Sequence, residues 1–234
     1  MMSINLIANN IYETNDVKLN NDILYVNATN QKLTGIVEVY YETGELKEER
    51  SYKDGKAKGL RKIYYKNGIL SEVSRYEDSK RNGLQKGYFE NGSLHFISQY
   101  KNDQLSGIGS MYYDTGELEL RVNYKKGKAN GICKLYYKNG ILKEYSHYVD
   151  DKLNGLLKRY FDNGKIQQEM NYKNDKLNGM TKRYSITGKL SNKILFYDGH
   201  AIRGVAYNQN GSVKRKMRYD DFKTMGYSVL NINQ

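Results

Sequence analysis

The sequence predicts an all-β fold, an elongated, twisted antiparallel β-meander of about eight stacked β-hairpin repeats that forms an open single sheet or half-pipe solenoid. Two series of glycines carry this prediction, because each recurs every 24 residues and a fixed period of this kind is typical of repeat architectures. The first series is Gly35, Gly59, Gly83, Gly107, Gly131, Gly155 and Gly179, and the second is Gly44, Gly68, Gly92, Gly116, Gly140, Gly164 and Gly188.

Two columns of tyrosine follow the same period. The composition agrees with them, because 24 Tyr, 22 Gly and no Pro or Trp favour many short strands joined by tight turns. One column is Tyr40, Tyr64, Tyr88, Tyr112, Tyr136, Tyr160 and Tyr184, and the other is Tyr52, Tyr76, Tyr100, Tyr124, Tyr148 and Tyr172, continued by Phe196.

Each unit is interpreted as one β-hairpin. In the first unit an apolar run from Gly35 to Tyr41 is followed by the turn ETG and by a returning run from Leu46 to Tyr52. Other units carry KNG, ENG, DTG or DNG at the turn, and such pairs favour backbone with positive φ. A second glycine loop, such as KDGKAKG, is expected to reverse the chain into the next hairpin. Helices are not expected, because the turns follow one another too closely.

Three regions follow from the repeat. Residues 35–203 are predicted to contain seven hairpins of 24 residues. Residues 1–34 are predicted to form a divergent N-terminal cap, with strand-like runs INLIA and DILYV. Residues 204–234 are predicted to form a weaker eighth repeat and a C-terminal cap, and Tyr219 takes the place of the second tyrosine there. Terminal repeats are commonly atypical, because they close an otherwise open stack.

The heptapeptide YYKNGIL occurs twice, starting at Tyr64 and at Tyr136. The 72 residues between the copies are three units, so the pattern indicates that a block of three hairpins was duplicated. We expect functional differences where the copies disagree, as at Val73 against Tyr145.

These units resemble the MORN repeat, and in particular its bacterial variant, in which YxNGxL is followed by a tyrosine and a glycine loop. The resemblance extends from about Gly35 to Tyr219. It implies single hairpins stacked into an elongated antiparallel sheet, and binding without catalysis. Bacterial proteins with this variant are often antitoxin-like or immunity-like components. Eukaryotic members have a shorter unit with a Trp, so the lipid-binding roles of some of them are not carried over to a chain without Trp.

Composition and charge restrict the partner and the compartment. A single cysteine, Cys133, excludes an internal disulfide and favours a reducing cytoplasm. The N-terminus lacks the features of a signal peptide, and no run has the length of a membrane helix, so we expect a soluble chain that is not exported. The formal charge of +12 predicts attraction to acidic proteins, anionic lipid or nucleic acid.

A row of basic residues is the first candidate binding surface. The residue three places after the first glycine of each unit is predicted to lie on the same strand face as the first tyrosine column. Such a row could bind an acidic protein, an anionic lipid surface or phosphates, or it could simply keep an open sheet soluble. The lysines of this row are Lys62, Lys86, Lys134, Lys158 and Lys182.

The paired tyrosines are the second candidate. If exposed, they would give a rigid aromatic binding face of the kind enriched in interfaces, and the sequence leaves open which tyrosine column is buried. Repeat leucines such as Leu46 and Leu142 are expected to complete a thin core. The four candidates of this face are Tyr41, Tyr65, Tyr113 and Tyr137.

No catalytic, cofactor or metal site is predicted. His95, His147 and His200 occupy different places in their units, and every glycine of the repeat is explained by the hairpin period, so no phosphate-binding loop remains. Cys133 is interpreted as a packed side chain. The function predicted is that of a non-enzymatic protein-binding module, an antitoxin-like or immunity-like partner of another bacterial protein. The alternatives are a peripheral binder of anionic lipid or nucleic acid, and a structural rod.

Overall fold

The structure is a computed structural model that describes residues 10–229, and the INLIA run lies outside them. The chain divides into two compact units. The first unit extends to Gly107 and also contains Asp114–Gly116, and the second contains Ile108–Tyr113 and the chain from Glu117 onward. Each unit is built almost wholly of β-strands.

The first unit contains ten strands within the described residues. A 3-10 turn, Thr14–Asp16, follows the first of them. The strands are β1 (Ile11–Glu13), β2 (Val17–Asn20), β3 (Ile23–Val26), β4 (Gly35–Tyr40), β5 (Leu46–Lys53), β6 (Lys56–Tyr64), β7 (Leu70–Glu77), β8 (Lys80–Tyr88), β9 (Leu94–Lys101) and β10 (Gln104–Leu105).

The second unit contains the remaining strands and a short helix, α1 (Tyr219–Thr224). Its strands are β11 (Gly107–Tyr112, of which Gly107 belongs to the first unit), β12 (Leu118–Lys125), β13 (Lys128–Tyr136), β14 (Leu142–Val149), β15 (Lys152–Leu153), β16 (Gly155–Tyr160), β17 (Ile166–Lys173), β18 (Lys176–Leu177), β19 (Gly179–Tyr184), β20 (Leu190–Tyr197), β21 (His200–Tyr207) and β22 (Val213–Met217).

The predicted antiparallel meander of stacked hairpins is confirmed within each unit. In the first unit β4 to β10 pair antiparallel in chain order, and in the second unit β12 to β22 do the same. The short strands β15 and β18 precede β16 and β19 on the same side of the neighbouring strand. The last four residues of the run DILYV form β3, which pairs with β2.

The link between hairpins differs from the predicted loop. Only two residues reverse the chain, as at Asp54 and Gly55, whose φ angles of 51° and 79° are those of a type I′ turn. Gly59 follows within β6 at φ 107°, opposite a register shift between Arg50 and Tyr52. The first glycine series therefore marks β-bulges, which need a residue that tolerates positive φ.

The two-residue turns also tie each repeat to the one before it. In the second unit, the Asp151 N–H donates to Ala129 O at 3.0 Å, and Asp151 Oδ1 accepts from the Ala129 N–H at 2.7 Å. The same reciprocal pair joins Asp103 to Arg81 and Asp175 to Leu153. These bonds satisfy backbone groups that neither strand ladder uses.

One transverse row of each unit is buried. It includes residues that face one another across neighbouring strands, such as Thr181 and Ile194, which are 2% and 1% exposed. The buried side chains of this row are Val37, Ser74 and Gln85 in the first unit and Val122, Ser146, Leu157, Met170, Thr181, Ile194 and Met217 in the second. The thin core of the hairpins is therefore a single line of side chains that runs across the strands, with one position contributed by each strand.

The N-terminal segment packs on the first repeat. β1 pairs parallel with β4, and the Leu24 N–H donates to Gly55 O at 2.9 Å. Gly55 in turn donates its N–H to the carbonyl of the fully buried Leu33. A Cβ on Gly55 would lie 2.8 Å from Leu24 O, so this contact requires glycine. Backbone of the N-terminal segment thus covers the two-residue turn at Asp54 and Gly55, which links the first two repeats.

The C-terminal end contains a helix where the sequence predicted a strand tyrosine. β22 ends at Met217, and Tyr219 begins α1 instead of continuing the eighth repeat. The Asp221 carboxylate accepts from the Arg218 N–H at 2.8 Å and so caps the helix. Phe222, 2% exposed, joins a buried cluster with Phe196. Burial of the Phe222 ring stabilises a helix at this place, and the repeat pattern does not extend beyond β22.

Candidate binding face

A row of charged side chains crosses each unit on the face opposite the buried row. We call it the lysine row, because the predicted lysines occupy it. In the first unit it consists, in cross-strand order, of Glu38, Glu49, Lys62, Val73, Lys86 and Ile97. In the second unit it consists of Arg121, Lys134, Tyr145, Lys158, Glu169, Lys182, Lys193, Val205 and Lys216.

The two units differ in the charge of this row. Two lysines offset two glutamates in the first unit, whereas the second unit places six basic side chains beside Glu169 alone. Charged groups of one sign on adjacent strands repel one another unless an anion lies between them. The lysine row of the second unit is therefore suited to an anionic partner.

Where a glutamate faces a lysine, the first tyrosine column joins the contact. Lys62 Nζ lies 3.2 Å from Glu49 Oε2, and the Tyr64 hydroxyl donates to the other oxygen of Glu49. Lys182 Nζ lies 3.5 Å from Glu169 Oε2, to which the Tyr184 hydroxyl donates at 3.0 Å. A lysine and the tyrosine two residues later thus hold one carboxylate, and we call this arrangement the carboxylate clasp.

The clasp changes the ionisation of its members. Burial and the hydrogen bond to Glu49 raise the pKa of Tyr64 to about 12, because both disfavour the phenolate. Burial and the bond to Glu169 likewise raise the pKa of Tyr184. Burial alone would raise the pKa of Glu169, but hydrogen bonds from Lys158 and Tyr184 lower it. Glu169 therefore keeps its negative charge between two lysines.

Two other lysines of the row, Lys86 and Lys134, have no such carboxylate within residues 10–229. Lys86 faces Val73 and Ile97, and Lys134 faces Arg121 and Tyr145. Within residues 10–229, neither lysine has an ion pair, although both are half-buried. Lys158 bonds Glu169 at 3.2 Å.

An aliphatic column, which the sequence pattern had not been used to predict, runs beside the lysines. The residue after each first-series glycine is Ile, Leu or Met, and strand alternation places it on the lysine face two residues before the lysine. Four of these side chains are exposed although apolar. They are Leu60 (44%), Leu84 (53%), Ile108 (44%) and Ile132 (39%). The recurrence of an aliphatic residue at this position of every repeat is the sequence signal that could have predicted the column.

The paired tyrosines tie neighbouring repeats together. The Tyr41 hydroxyl donates to Tyr64 O at 2.8 Å, and the Tyr137 hydroxyl donates to Tyr160 O at 2.9 Å. Tyr65 and Tyr113 make the equivalent bonds, and all four rings are half-buried. Lysine ammonium groups lie over three of the rings, as Lys143 does over Tyr137 at 5.4 Å. Their hydroxyls therefore already have protein partners.

The second tyrosine column lies on the face of the buried row. Phe196, which takes its place in the seventh repeat, is 2% exposed. The Arg50 guanidinium stacks over Tyr76, with 4.4 Å from its carbon to the ring centroid. Leu46 and Leu142, expected in the core, are half-buried. Cys133 is a half-buried free thiol whose pKa is raised by burial.

The histidines do not converge on one another. His147 Nδ1 donates to Asn154 O at 2.8 Å, His200 bonds Ser228 at 2.8 Å, and the His95 ring lies 4.2 Å from the Phe89 ring. In the described part of the chain, no group of three or more His, Cys, Asp or Glu could hold a metal ion. No helix in residues 10–229 has the length and apolar character needed to cross a bilayer.

Five segments of the chain match the model of the MORN repeat variant family, namely residues 33–54, 81–102, 105–126, 129–150 and 153–174. No curated protein matches the sequence. The crystal structure of TcdB2-TccC3 is 14% identical over 79% of this chain and 13% of that chain, with a TM-score of 0.22. The crystal structure of TcdB2-TccC3-Cdc42 is 15% identical over 87% and 14%, with a TM-score of 0.22. This chain spans about an eighth of those chains, and at these TM-scores the likeness supports no argument.

Proposed function

We propose that this chain, five segments of which match the MORN repeat variant family, is a non-enzymatic protein-binding module that holds an acidic partner against the lysine row of its second unit. MORN repeats generally serve as binding modules for proteins or lipids and are typically not catalytic. The observation that carries the proposal is the excess of cations in that row, where six basic side chains accompany one glutamate.

Electrostatics and packing both support a protein partner. Charges arranged along one surface speed association with a partner of opposite charge and fix its orientation. The exposed aliphatic column beside the lysines adds apolar area, which an interface needs at its centre. We extend the proposal to an antitoxin-like or immunity-like role in the bacterial cytoplasm, and the resemblance of the repeat and the single cysteine support this extension.

The experiment is capture of proteins from a lysate of the native host on the immobilised chain, followed by their identification. Alongside the native chain, a variant with Lys134, Lys158 and Lys182 changed to Glu is compared with a control in which the exposed Lys125, Lys173 and Lys189 are changed to Glu. The two variants carry the same charge. We expect an acidic protein that the native chain and the control retain and the lysine-row variant loses.

Two results would refute this proposal. The first is recovery of no protein partner, and the second is equal loss of the partner from both variants, since that would indicate a response to total charge. Circular dichroism of both variants checks that the strands still form.

The same cations favour a second candidate, a peripheral binder of anionic lipid or nucleic acid. This candidate predicts retention of phosphatidylserine vesicles or single-stranded DNA that falls steeply with salt, because binding releases counterions. Retention unchanged in the lysine-row variant excludes it.

A further inference from the structure

The fifth repeat has an incomplete carboxylate clasp. Lys134 and Tyr136 on β13 stand where Lys62 and Tyr64 stand on β6, and where Lys182 and Tyr184 stand on β19. In those two repeats the clasp holds Glu49 or Glu169 of the neighbouring strand. In the fifth repeat the residue facing Lys134 in that register is Arg121.

Arg121 makes the fifth repeat a cationic site without an anion. Within residues 10–229, the side chains of Arg121, Lys134 and Tyr136 have no hydrogen-bond or ion-pair partner, whereas the lysine and tyrosine of the two complete clasps share a glutamate. Like charges directly opposite each other on neighbouring strands are destabilising. A bound anion would remove this repulsion and supply the acceptor that the clasp lacks.

A cleft lies at this place. It has a volume of about 250 Å³ and belongs wholly to the second unit. Arg121 and Ile132 are exposed, and Ile108 is 44% exposed. The lining residues are Ile108, Arg121, Asn123, Ile132, Lys134 and Tyr136. A charged group and an apolar surface are therefore offered side by side.

We propose that this cleft binds an acidic side chain of an extended segment of the protein partner. The carboxylate is held by Arg121, Lys134 and the Tyr136 hydroxyl, and an apolar side chain two residues away along the segment packs on Ile108 and Ile132. Ile132 and Lys134 are themselves two residues apart on β13, about 6.7 Å, which is the repeat of side chains on one face of an extended peptide. This assignment rests on the proposed function and names the part of the partner that is recognised.

The other repeats do not offer the same combination. Lys86 faces two aliphatic residues, so it has no second cation beside it. Lys158 bonds Glu169 at 3.2 Å. Lys182 faces Lys193 but already shares Glu169 with Tyr184. In the second unit, the fifth repeat thus joins a free lysine and tyrosine to an arginine on the facing strand.

The test uses the purified full chain and a fluorescein-labelled peptide of alternating Glu and Leu, with fluorescence anisotropy as the measurement. Arg121→Glu places an internal carboxylate where Glu49 and Glu169 stand in the complete clasps. We expect the peptide affinity to fall by at least about tenfold, because a charge-assisted contact is lost and the site is filled from within. Lys173→Glu, the control with the same charge change, is expected to lower it less than about twofold.

A second readout separates site occupation from damage to the fold. Since Arg121→Glu replaces a like-charge pair by a complete clasp, its thermal midpoint should equal or exceed that of the native chain. Arg121→Gln, which removes only the cation, should weaken the peptide by an intermediate factor and remains informative if the Glu variant does not fold.

Two results overturn the assignment. The first is no binding of the peptide by the native chain, whether or not phosphatidylserine vesicles are retained, and the second is equal weakening by Arg121→Glu and Lys173→Glu. Because the peptide is measured on the purified chain, this test is separate from capture of a host protein. A chain that binds the peptide but captures no acidic protein refutes the proposed function and not the cleft.

Discussion

At the scale of single residues, one lysine–tyrosine pair has different consequences according to what faces it. Opposite Glu49 the pair is hydrogen-bonded within the protein, and opposite Arg121 the side chains of the pair have no bonding partner within residues 10–229. The sequence could place the lysines and tyrosines on one face, because strand alternation suffices for that. It could not say which acid faces which lysine, since the register depends on bulges and two-residue turns.

The ionisation of Tyr64 tests the carboxylate clasp. We expect its pKa at about 12 in the native chain, and closer to the ordinary value of about 10 in Glu49→Gln, where the carboxylate is gone. The measurement is the ultraviolet absorbance of tyrosinate against pH, with the titration of Tyr64→Phe subtracted to isolate this residue. Identical midpoints with and without the Glu49 carboxylate would contradict the clasp.

The same pKa gives a dependence of stability on pH. The folded chain retains a proton on Tyr64 that the unfolded chain releases above about pH 10, so the stabilisation is complete below that pH and is lost as pH rises toward 12. The free energy of unfolding in urea should fall across this window, and should fall less steeply in Tyr64→Phe.

The hydroxyl ties between repeats are also testable at single residues. Tyr137→Phe removes the bond to Tyr160 O, and we expect a loss of about 0.5–1.5 kcal/mol in the free energy of unfolding. Tyr145→Phe is the control, because its hydroxyl has no hydrogen-bond partner within residues 10–229 and its loss should change stability little. Equal effects of the two changes would show that ring packing, and not the hydroxyl bond, joins the repeats.

At the scale of elements, the hairpins could be predicted because their turn residues are specific. The turns after the first strands, such as KNG, lie where the glycines and asparagines predicted them. The links between hairpins were predicted as loops of seven residues, but pairs such as Asn174 and Asp175 make the reversal alone. Asn and Asp tolerate positive φ, so these pairs form a type I′ turn without glycine.

The helix α1 could not be predicted from the repeat, because its formation depends on a cluster that only the fold assembles. Phe222 packs with Ile194, Phe196 and Met217 in that cluster. Truncating this ring should lower the free energy of unfolding of the chain by about 3–5 kcal/mol, the range for buried Phe→Ala changes.

Met225→Ala is the control for that change, because Met225 lies just beyond the helix and is 37% exposed. We expect it to cost less than about 1 kcal/mol in the same urea titration. If Phe222→Ala were no more destabilising than Met225→Ala, the helix would not be a structural part of the second unit.

At the scale of the whole molecule, the formal charge of +12 is not spread evenly over the lysine rows of the two units. The row of the first unit balances its charges, and the row of the second carries a large excess of cations. Composition could predict an anionic partner but not which unit offers the surface, because that depends on the side chains that the register aligns. The proposed function therefore belongs to the second unit.

The most direct test of this account is the reactivity of individual lysines with an amine-acylating reagent, measured by mass spectrometry in the free chain and in complex with the captured partner. We expect Lys134 and Lys182, on the lysine row of the second unit, to be protected in the complex by at least about threefold. Lys125 and Lys173, at the ends of their strands, should react equally in both states. Protection of Lys125 and Lys173 with unchanged reactivity of Lys134 and Lys182 would contradict the account.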